Sequence, residues 1–271
     1  MLSPLYGQLS PLRVPTSMRF ISNDADVVAY VLAVESADGE RLEDGVISAY
    51  DSFITGCKTD GIWTAIKASC ILAGARSLSG ALVPLVGTAP TNFNFVSADY
   101  DRENGLLGNG TTKYLDSNRN NNADLQDSQH LSVYAVTAAI AGTTRAYIGH
   151  GGSSTSGMSY FVRSSNSANI TARSRNASGI ETISGAGPSV GLIGQSRSNS
   201  SNYIFRASGS NTTLTRASVA PSNGNIFVFN TNGLASRLNS NLSFYSIGEA
   251  LDLALLDTRV SALMTDLAAA I

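Results

Sequence analysis

Charged side chains are scarce in this 271-residue sequence, and acids are scarcest in its second half. Asp, Glu, Lys and Arg make up 14% of the residues, whereas an average globular protein has about 25%. Residues 145–248 contain eight arginines, no lysine and Glu181 as the single acid, while residues 21–60 contain nine acids against Arg41 and Lys58. The net charge of −2 therefore hides two regions of opposite sign.

Cysteines and long apolar runs are also rare. Cys57 and Cys70 are too few for a disulfide framework and lack the spacing of a zinc site, so we expect two buried free thiols. No run of roughly 18 apolar residues predicts a membrane span. The first twenty residues lack a charged start and are interrupted by Pro4, Pro11 and Pro15, so we expect no signal peptide.

Several motifs of catalysis and nucleotide binding are missing. The sequence has no P-loop, no Rossmann fingerprint, no Gly-x-Ser-x-Gly elbow and no recognisable nucleic-acid motif. Glycoside hydrolysis needs two facing carboxylates, but the strand candidates between 130 and 247 contain only Glu181. Asp99, Asp101 and Glu103 alternate in a predicted loop and are the best match. We expect no enzymatic activity and assign no catalytic residue.

An apolar, proline-spaced segment opens the sequence. Leu-Ser-Pro-Leu occurs at 2–5 and again at 9–12, and proline fixes φ and removes a backbone donor, which keeps such a segment extended. We predict that residues 1–21 form an arm that packs on another subunit or on a larger assembly, with a free terminus as the alternative. The expected assembly contacts are Leu2, Pro4, Leu5, Leu9, Pro11 and Leu12.

Residues 22–88 show helical spacing and are predicted to form a small α-helical subdomain. Cap-type residues precede an apolar face that begins at Val27 and Tyr30. The segments "RLEDGVISAYDSFITGC" (41–57) and "DGIWTAIKASCILAG" (60–74) are predicted to follow as further helices. The chain closes with a predicted helix over 251–271, whose stripe includes Leu255 and Leu263 and which we expect to cover the domain rather than bundle with its copies.

Residues 89–250 alternate apolar and polar side chains over short runs separated by Gly, Asn and Ser. Many short strands at roughly ten-residue spacing predict a β-sandwich or barrel, here a jelly roll. Four arginines at polar positions or strand ends are expected on the solvent side of the sheet: Arg163, Arg173, Arg206 and Arg216.

The most polar segment is "SNRNNNAD" (117–124), predicted as the loop between the first two main strands. A turn explains its asparagines, because Asn bonds the backbone and tolerates positive φ. Alternating oxygens from Asp116 to Asp124 leave calcium open as an alternative, although the EF-hand pattern fails. Contact with a partner or glycan is the third interpretation. We assign no metal and no cofactor, and the candidate ligand-binding residues are Asn118, Arg119, Asn120, Asn122 and Asp124.

Three segments together resemble a known family. "GLLGNGTTKYLDSNRNNNADLQDSQHLSVYAVTA" (105–138) resembles the opening of a concanavalin A-like, laminin-G-like domain, and "NLSFYSIGEALDLALLDTRVSAL" (241–263) resembles its closing strand and helix. "GCKTDGIWTAIKASCILAG" (56–74) is similar to segments found ahead of such domains in bacteriophage virion proteins. The resemblance implies a mainly β, concanavalin A-like sandwich and a virion surface protein. Domains of this fold often bind carbohydrate, and some cleave it.

The predicted function is that of a non-enzymatic phage virion protein, a tail fibre, head fibre or capsid decoration. It would attach through its N-terminal part and expose the sandwich for host-surface adhesion or particle reinforcement. The expected partners are other virion proteins, further copies of the chain and a host surface glycan; nucleic acid and membrane are not expected. The alternatives are a carbohydrate-active enzyme and a free-standing lectin of the same fold.

Overall fold

The computed structural model describes residues 21–151, 156–165, 168–233 and 236–271. Apart from Ile21, the predicted arm with its contacts from Leu2 to Leu12 lies outside these ranges, and its role in assembly stays a prediction. The helices are α1 (Ala25–Asp38), α2 (Asp44–Thr59), the short α3 (Leu78–Ala81) and α4 (Leu253–Ala270). No helix in the described part of the chain is both long and apolar enough to cross a membrane.

Most of the remaining chain forms short strands. They are β1 (Ile66–Ile71), β2 (Thr91–Phe93), β3 (Tyr100–Asp101), β4 (Gly105–Leu107), β5 (Tyr114–Asn120), β6 (Gln129–Ala135), β7 (Arg145–His150), β8 (Met158–Arg163), β9 (Ile170–Asn176), β10 (Glu181–Ile183), β11 (Gly191–Arg197), β12 (Asn202–Ala207), β13 (Ser210–Thr215), β14 (Asn225–Val228) and β15 (Asn241–Gly248).

These strands form two antiparallel sheets. The first sheet has the order β13-β12-β11-β6-β15-β4-β3, with β1 also paired to β15. The second sheet has the order β10-β9-β8-β7-β14-β5-β2. One apolar core lies between the sheets and includes Val133 and Ile193 from the first and Ile148 and Phe161 from the second. The predicted mainly β sandwich with a few helices is confirmed.

A second apolar core lies between the first sheet and the helices. Phe53 of α2 meets Phe244 of β15 edge to face, with ring centroids 5.7 Å apart. Helix α4 buries Leu256 and Leu263 in the same cluster, and Arg259 binds Asp60 through Nε at 2.7 Å and Nη2 at 2.8 Å. As expected, α4 covers the domain.

Helix α1 begins at the cap-type residues that its sequence predicts. The Asp24 carboxylate accepts a hydrogen bond from the backbone N–H of Asp26 at 3.0 Å, which satisfies a donor that the first turn leaves free. The helix ends at Gly39, whose φ of 70° favours glycine.

The helix predicted over residues 60–74 is wrong, because its centre forms strand β1. Cys70 lies opposite Tyr245 and Ile71 lies opposite Phe244 in an antiparallel ladder with β15. Five of the six residues of β1 are buried, so both faces of this strand are covered. A short run that is apolar on both faces carries no alternation and cannot be told from a buried helix by spacing. The division at residue 88 stays a prediction.

The apolar stripe predicted for α4 is also wrong by one position near its start, where Leu256 rather than Leu255 is buried. Leu256 is fully buried, whereas Leu255 is 38% exposed. The prediction followed a seven-residue spacing, while this single helix packs on a sheet and α2 with the period of 3.6 residues.

The prediction that four strand arginines face solvent is wrong for two of them. Arg163 is 7% exposed and Arg173 is 2% exposed. The Nη2 atom of Arg173 donates to the main-chain oxygen of Asn176 at 2.9 Å. Arg206 and Arg216 are more exposed and pair with Asp257 and Glu181 respectively. The spacing of polar residues along a strand does not show whether an arginine faces water or main-chain carbonyls inside the protein. Both accept hydrogen bonds from a guanidinium.

Candidate functional site: the outer strip of the second sheet

Strands β2, β5 and β14 lie at one edge of the second sheet, and their outward residues form a mixed aromatic and polar surface. Phe93 lies opposite Tyr114, and Thr91 lies opposite Asp116. Tyr114 and Asp116 flank Leu115, which is fully buried in the core, so alternation places the two on the outward face. We call this surface the outer strip: Thr91, Phe93, Tyr114, Asp116, Asn118, Asn225 and Phe227.

Three aromatic rings form one half of the outer strip. The rings of Phe93 and Tyr114 stack with centroids 4.4 Å apart and planes 5° apart. Tyr114 also stacks on Phe227, with centroids 4.9 Å apart. All three rings are partly exposed, unlike the fully buried ring pairs of the core, such as Phe161 and Phe205. A partly exposed aromatic cluster offers apolar surface to a ligand.

Polar side chains form the other half. The Asp116 carboxylate accepts hydrogen bonds from Asn118 N–H at 2.8 Å and from the Asn225 amide at 3.1 Å. The Asn118 amide nitrogen donates to the Ala89 oxygen at 2.8 Å and to the Thr91 hydroxyl at 3.0 Å. These bonds hold the amides and the carboxylate in fixed positions beside the rings.

Asn118 owes its position to a local irregularity of β5. Three residues of β14, from Asn225 to Phe227, lie opposite five of β5, from Asn120 to Asp116. The extra length is taken up by a bulge in which Asn118 has a φ of 56°. The interpretation that asparagine here adopts positive φ is confirmed. The prediction that the loop begins at residue 117 is corrected, because β5 continues to Asn120.

A cation lies against the aromatic half. The Cζ atom of Arg237 is 5.6 Å from the centroid of the Tyr114 ring, a cation–π contact. The Nε atom of Arg237 is buried and has no hydrogen-bond partner in the described part of the chain.

Two of the five predicted ligand-binding residues meet at the polar end of the strip, and two lie together elsewhere. Asn118 belongs to the strip, and Asn120 follows it, with its amide donating to the Asn223 side-chain oxygen at 2.6 Å. Arg119 and Asp124 form an ion pair with each other. The fifth, Asn122, has an exposed side chain. Their role in binding stays a prediction.

A pocket of about 200 Å³ lies beside this end of the strip. It is lined by Asn118, Arg119 and Asn120 on one side and by Lys67 and Thr88 on the other. Lys67 is paired with Glu249 across 3.1 Å, and Arg119 with Asp124. Both cations of the pocket are therefore already neutralised.

The alternating oxygens of residues 116–124 accept hydrogen bonds from separate protein donors. Asp116 binds Asn118 and Asn225, as described, and the Asn120 side-chain oxygen accepts from Gly224 N–H at 3.0 Å. The Asp124 carboxylate accepts from Arg119. Within the described residues, no three His, Cys, Asp or Glu side chains form a group suited to a metal ion.

The acids at 99–103 are held as structural acceptors. Partial burial alone would raise the pKa of Asp99, but the Lys113 ammonium and the Val96 N–H lower it below its ordinary value. Hydrogen bonds from Asn104 and Glu103 likewise lower the pKa of Asp101. A glycosidase acid needs a raised pKa, so neither carboxyl suits that role.

Sequence reasoning missed the aromatic half of the strip. Phe93, Tyr114 and Phe227 come from three strands that are distant in sequence, and only the strand pairing brings them together. A usable signal was present in β5, where Tyr114 and Asp116 occupy alternate positions around a core leucine.

Comparisons with known proteins identify the fold. No protein-family model and no curated protein matches the sequence. The receptor-binding domain of botulinum neurotoxin C/D mosaic serotype is similar with a TM-score of 0.50 at 10% identity, over 73% of this chain and 51% of that one. The Trypanosoma rangeli sialidase in complex with 2,3-difluorosialic acid has a TM-score of 0.50 at 10% identity, over 75% and 33%. The chain thus has the fold of a mainly β sandwich, and it spans about half of the first of these structures and a third of the second.

Proposed function

We propose that this chain is a non-enzymatic binding protein that recognises a glycan on its outer strip. The observation that carries the proposal is the stack of Phe93, Tyr114 and Phe227 beside fixed amide and carboxylate groups. A sugar presents apolar C–H faces and hydroxyl groups at once. Aromatic rings pack against the former, while Asn side chains donate to and accept from the latter and an Asp carboxylate accepts from them.

The shape of the strip favours a chain of sugars over a single ring. From Tyr114 to Asn118 the strand covers somewhat less than about 13 Å, the length of four extended residues at ~3.3 Å each, because the bulge at Asn118 shortens it. The strip is a partly exposed surface on an edge of the sheet, open to a ligand that extends beyond it. The two similar folds described above, a receptor-binding domain and a sialidase bound to a sialic acid derivative, support a glycan as the ligand class.

In the same proposal the chain is a bacteriophage virion protein, a tail fibre, head fibre or capsid decoration that displays the sandwich for adhesion to the host surface. The support is the resemblance of residues 56–74, 105–138 and 241–263 to such proteins. Other virion proteins and further copies of this chain would be its partners. Immunogold labelling of intact particles tests this part: surface labelling is expected, and labelling absent from purified particles would leave a free-standing lectin.

Glycan binding is tested by an oligosaccharide array followed by calorimetry on the hits. Tyr114→Ala should weaken binding by about tenfold or more, because the central ring of the stack is lost. Trp63→Ala is the matched control, since Trp63 is also a partly exposed aromatic but packs beside Lys58 at 5.5 Å, near the helices. Equal affinity of Tyr114→Ala and the parent protein, or an array without hits, would refute the proposal. Shortened glycans in the reaction would favour the carbohydrate-active enzyme.

A further inference from the structure

Arg237 lies beside the outer strip, and its guanidinium has no acceptor among the residues that the structure describes. Other half-buried guanidiniums reach an acid or a carbonyl: Arg206 Nε binds Asp257 at 2.8 Å, and Arg145 Nη1 binds the Gly110 oxygen at 2.8 Å. Within the ranges that the structure describes, the Arg237 guanidinium forms neither a hydrogen bond nor an ion pair, and its Nε is buried. Buried Nε atoms without a partner also occur in Arg119, Arg145, Arg173 and Arg175, but those guanidiniums bind protein acceptors through their Nη atoms. Arg237 differs because, among the described residues, its whole guanidinium lacks an acceptor.

The Tyr114 ring holds this guanidinium in place. With Cζ at 5.6 Å from the ring centroid, the cation–π contact fixes the position of the cation without using its N–H groups. The Arg237 main-chain oxygen is also held, because it accepts from Arg145 Nη1 at 3.0 Å. The free N–H groups of Arg237 therefore form a positioned donor set next to the aromatic rings.

An anion is the natural complement of this positively charged donor set, because the acid of the outer strip is engaged elsewhere. Asp116, the acid of the outer strip, is bound by Asn118 and Asn225 in the polar half. A guanidinium presents its N–H groups in a planar fork that matches the two oxygens of a carboxylate.

We infer that the ligand of the outer strip is an acidic glycan, whose carboxylate binds the Arg237 guanidinium while a sugar ring packs on Phe93, Tyr114 and Phe227. The inference rests on the proposed function and adds to it the chemical class of the sugar.

The test compares glycans that differ only in a carboxylate. Suitable pairs are oligogalacturonate with its carboxyl-reduced form, and sialyllactose with lactose, each titrated into the full chain by calorimetry. The acidic member of a pair should bind about tenfold or more tightly than the neutral member. Arg237→Gln should abolish the preference, so that the acidic and neutral members of a pair bind the variant with equal affinity. Arg237→Lys should be intermediate, because it keeps the charge but loses the planar fork.

The control is Arg41→Gln, which removes an exposed arginine near α1 and α2 and should leave the preference intact. Equal binding of acidic and neutral glycans by the parent protein overturns the inference but preserves the proposed function. Binding of neither class overturns both. This comparison uses the unmodified chain, so it decides the matter even if Arg237→Gln fails to fold.

Discussion

The Nη2 atom of Arg175 lies 2.5 Å from the main-chain oxygen of Asn121, a residue 54 positions earlier in the chain. The Nη1 atom of the same guanidinium donates to Gln126 at 3.3 Å and to Ser128 at 3.2 Å, and also to Leu125. One fully buried arginine therefore satisfies the carbonyls of the loop between β5 and β6. The arginine-rich composition of this region serves the interior of the protein as well as its surface.

Arg175→Met should lower the unfolding free energy by about 3 kcal/mol, because several carbonyls lose their donor at once. Urea unfolding monitored by circular dichroism measures the change. The matched control is Arg216→Met, which removes an arginine that is 44% exposed at its side chain and paired with Glu181. We expect that variant to lose less than about 1 kcal/mol. Equal losses in the two variants would contradict the role assigned to Arg175.

His130 should make the fold sensitive to acid. Its Nδ1 is 2.6 Å from the Glu249 oxygen and its Nε2 is 2.7 Å from the Ser246 hydroxyl, and burial lowers its pKa to about 4. The unfolded chain, with an ordinary pKa near ~6.5, binds the proton more readily. Stability from this residue is therefore complete above pH ~6.5 and is lost as the pH falls toward ~4, by about 3 kcal/mol.

Urea midpoints for the parent protein and for His130→Gln, measured between pH ~7.5 and ~4.5, check this. The variant should show a flatter pH dependence over that interval, because glutamine does not titrate. Parallel curves for the two proteins would show that the buried ring is not the source of the acid sensitivity.

Both thiols should be unreactive in the folded protein. Cys57 and Cys70 are fully buried, and burial raises the pKa of each thiol to about 12. Because the thiolate is the reactive form, a disulfide reagent at pH ~8 should label neither residue at an appreciable rate. Two equivalents should react promptly after denaturation, since the sequence contains two cysteines. Fast labelling of the native chain would contradict the burial of these side chains.

Asn118 should tolerate glycine better than a β-branched residue. Its φ of 56° lies in the left-handed region, where valine is strained by about 1–2 kcal/mol or more. Asn118→Gly removes that strain but loses the hydrogen bonds to Ala89 and Thr91. We expect thermal unfolding to rank the parent first, Asn118→Gly second and Asn118→Val last. A valine variant at least as stable as the glycine variant would contradict the bulge.

Helix α4 offers a matched pair of leucines. Leu263 is 1% exposed and Leu255 is 38% exposed. Leu263→Ala should cost about 3 kcal/mol of unfolding free energy through a cavity between α4 and the first sheet. Leu255→Ala should cost less than about 1 kcal/mol, because water already reaches this side chain. A larger loss of unfolding free energy for Leu255→Ala than for Leu263→Ala would contradict this orientation of α4.

The sequence predicts the β-sandwich because period-two alternation and turn residues recur between 130 and 250, and it predicts α1 through its cap at Asp24. It does not predict β1, because a strand covered on both faces shows no alternation. It also misplaces Arg163 and Arg173, since the spacing of polar residues is the same whether a guanidinium meets water or a carbonyl.

The outer strip could be predicted only in part. Asn118 and Asn120 are visible in the sequence as an unusual run of amides. The ring stack depends on the register between β2, β5 and β14, which a single sequence does not specify. Arg237 joins the site from a distant loop, and nothing in its local sequence distinguishes it from the other arginines of the region.

Because β15 lies in the middle of the first sheet, that sheet can be completed only after residues 241–248 have been synthesised. β15 pairs with β6 along one edge and with β1 and β4 along the other, yet those three strands leave the ribosome long before residues 241–248. Their hydrogen-bonding edges must stay unpaired while the whole arginine-rich region is translated, so the first sheet cannot close as the chain emerges. Its completion is a late, non-local step, and the exposed edges make the unfinished chain a substrate for chaperones or for aggregation.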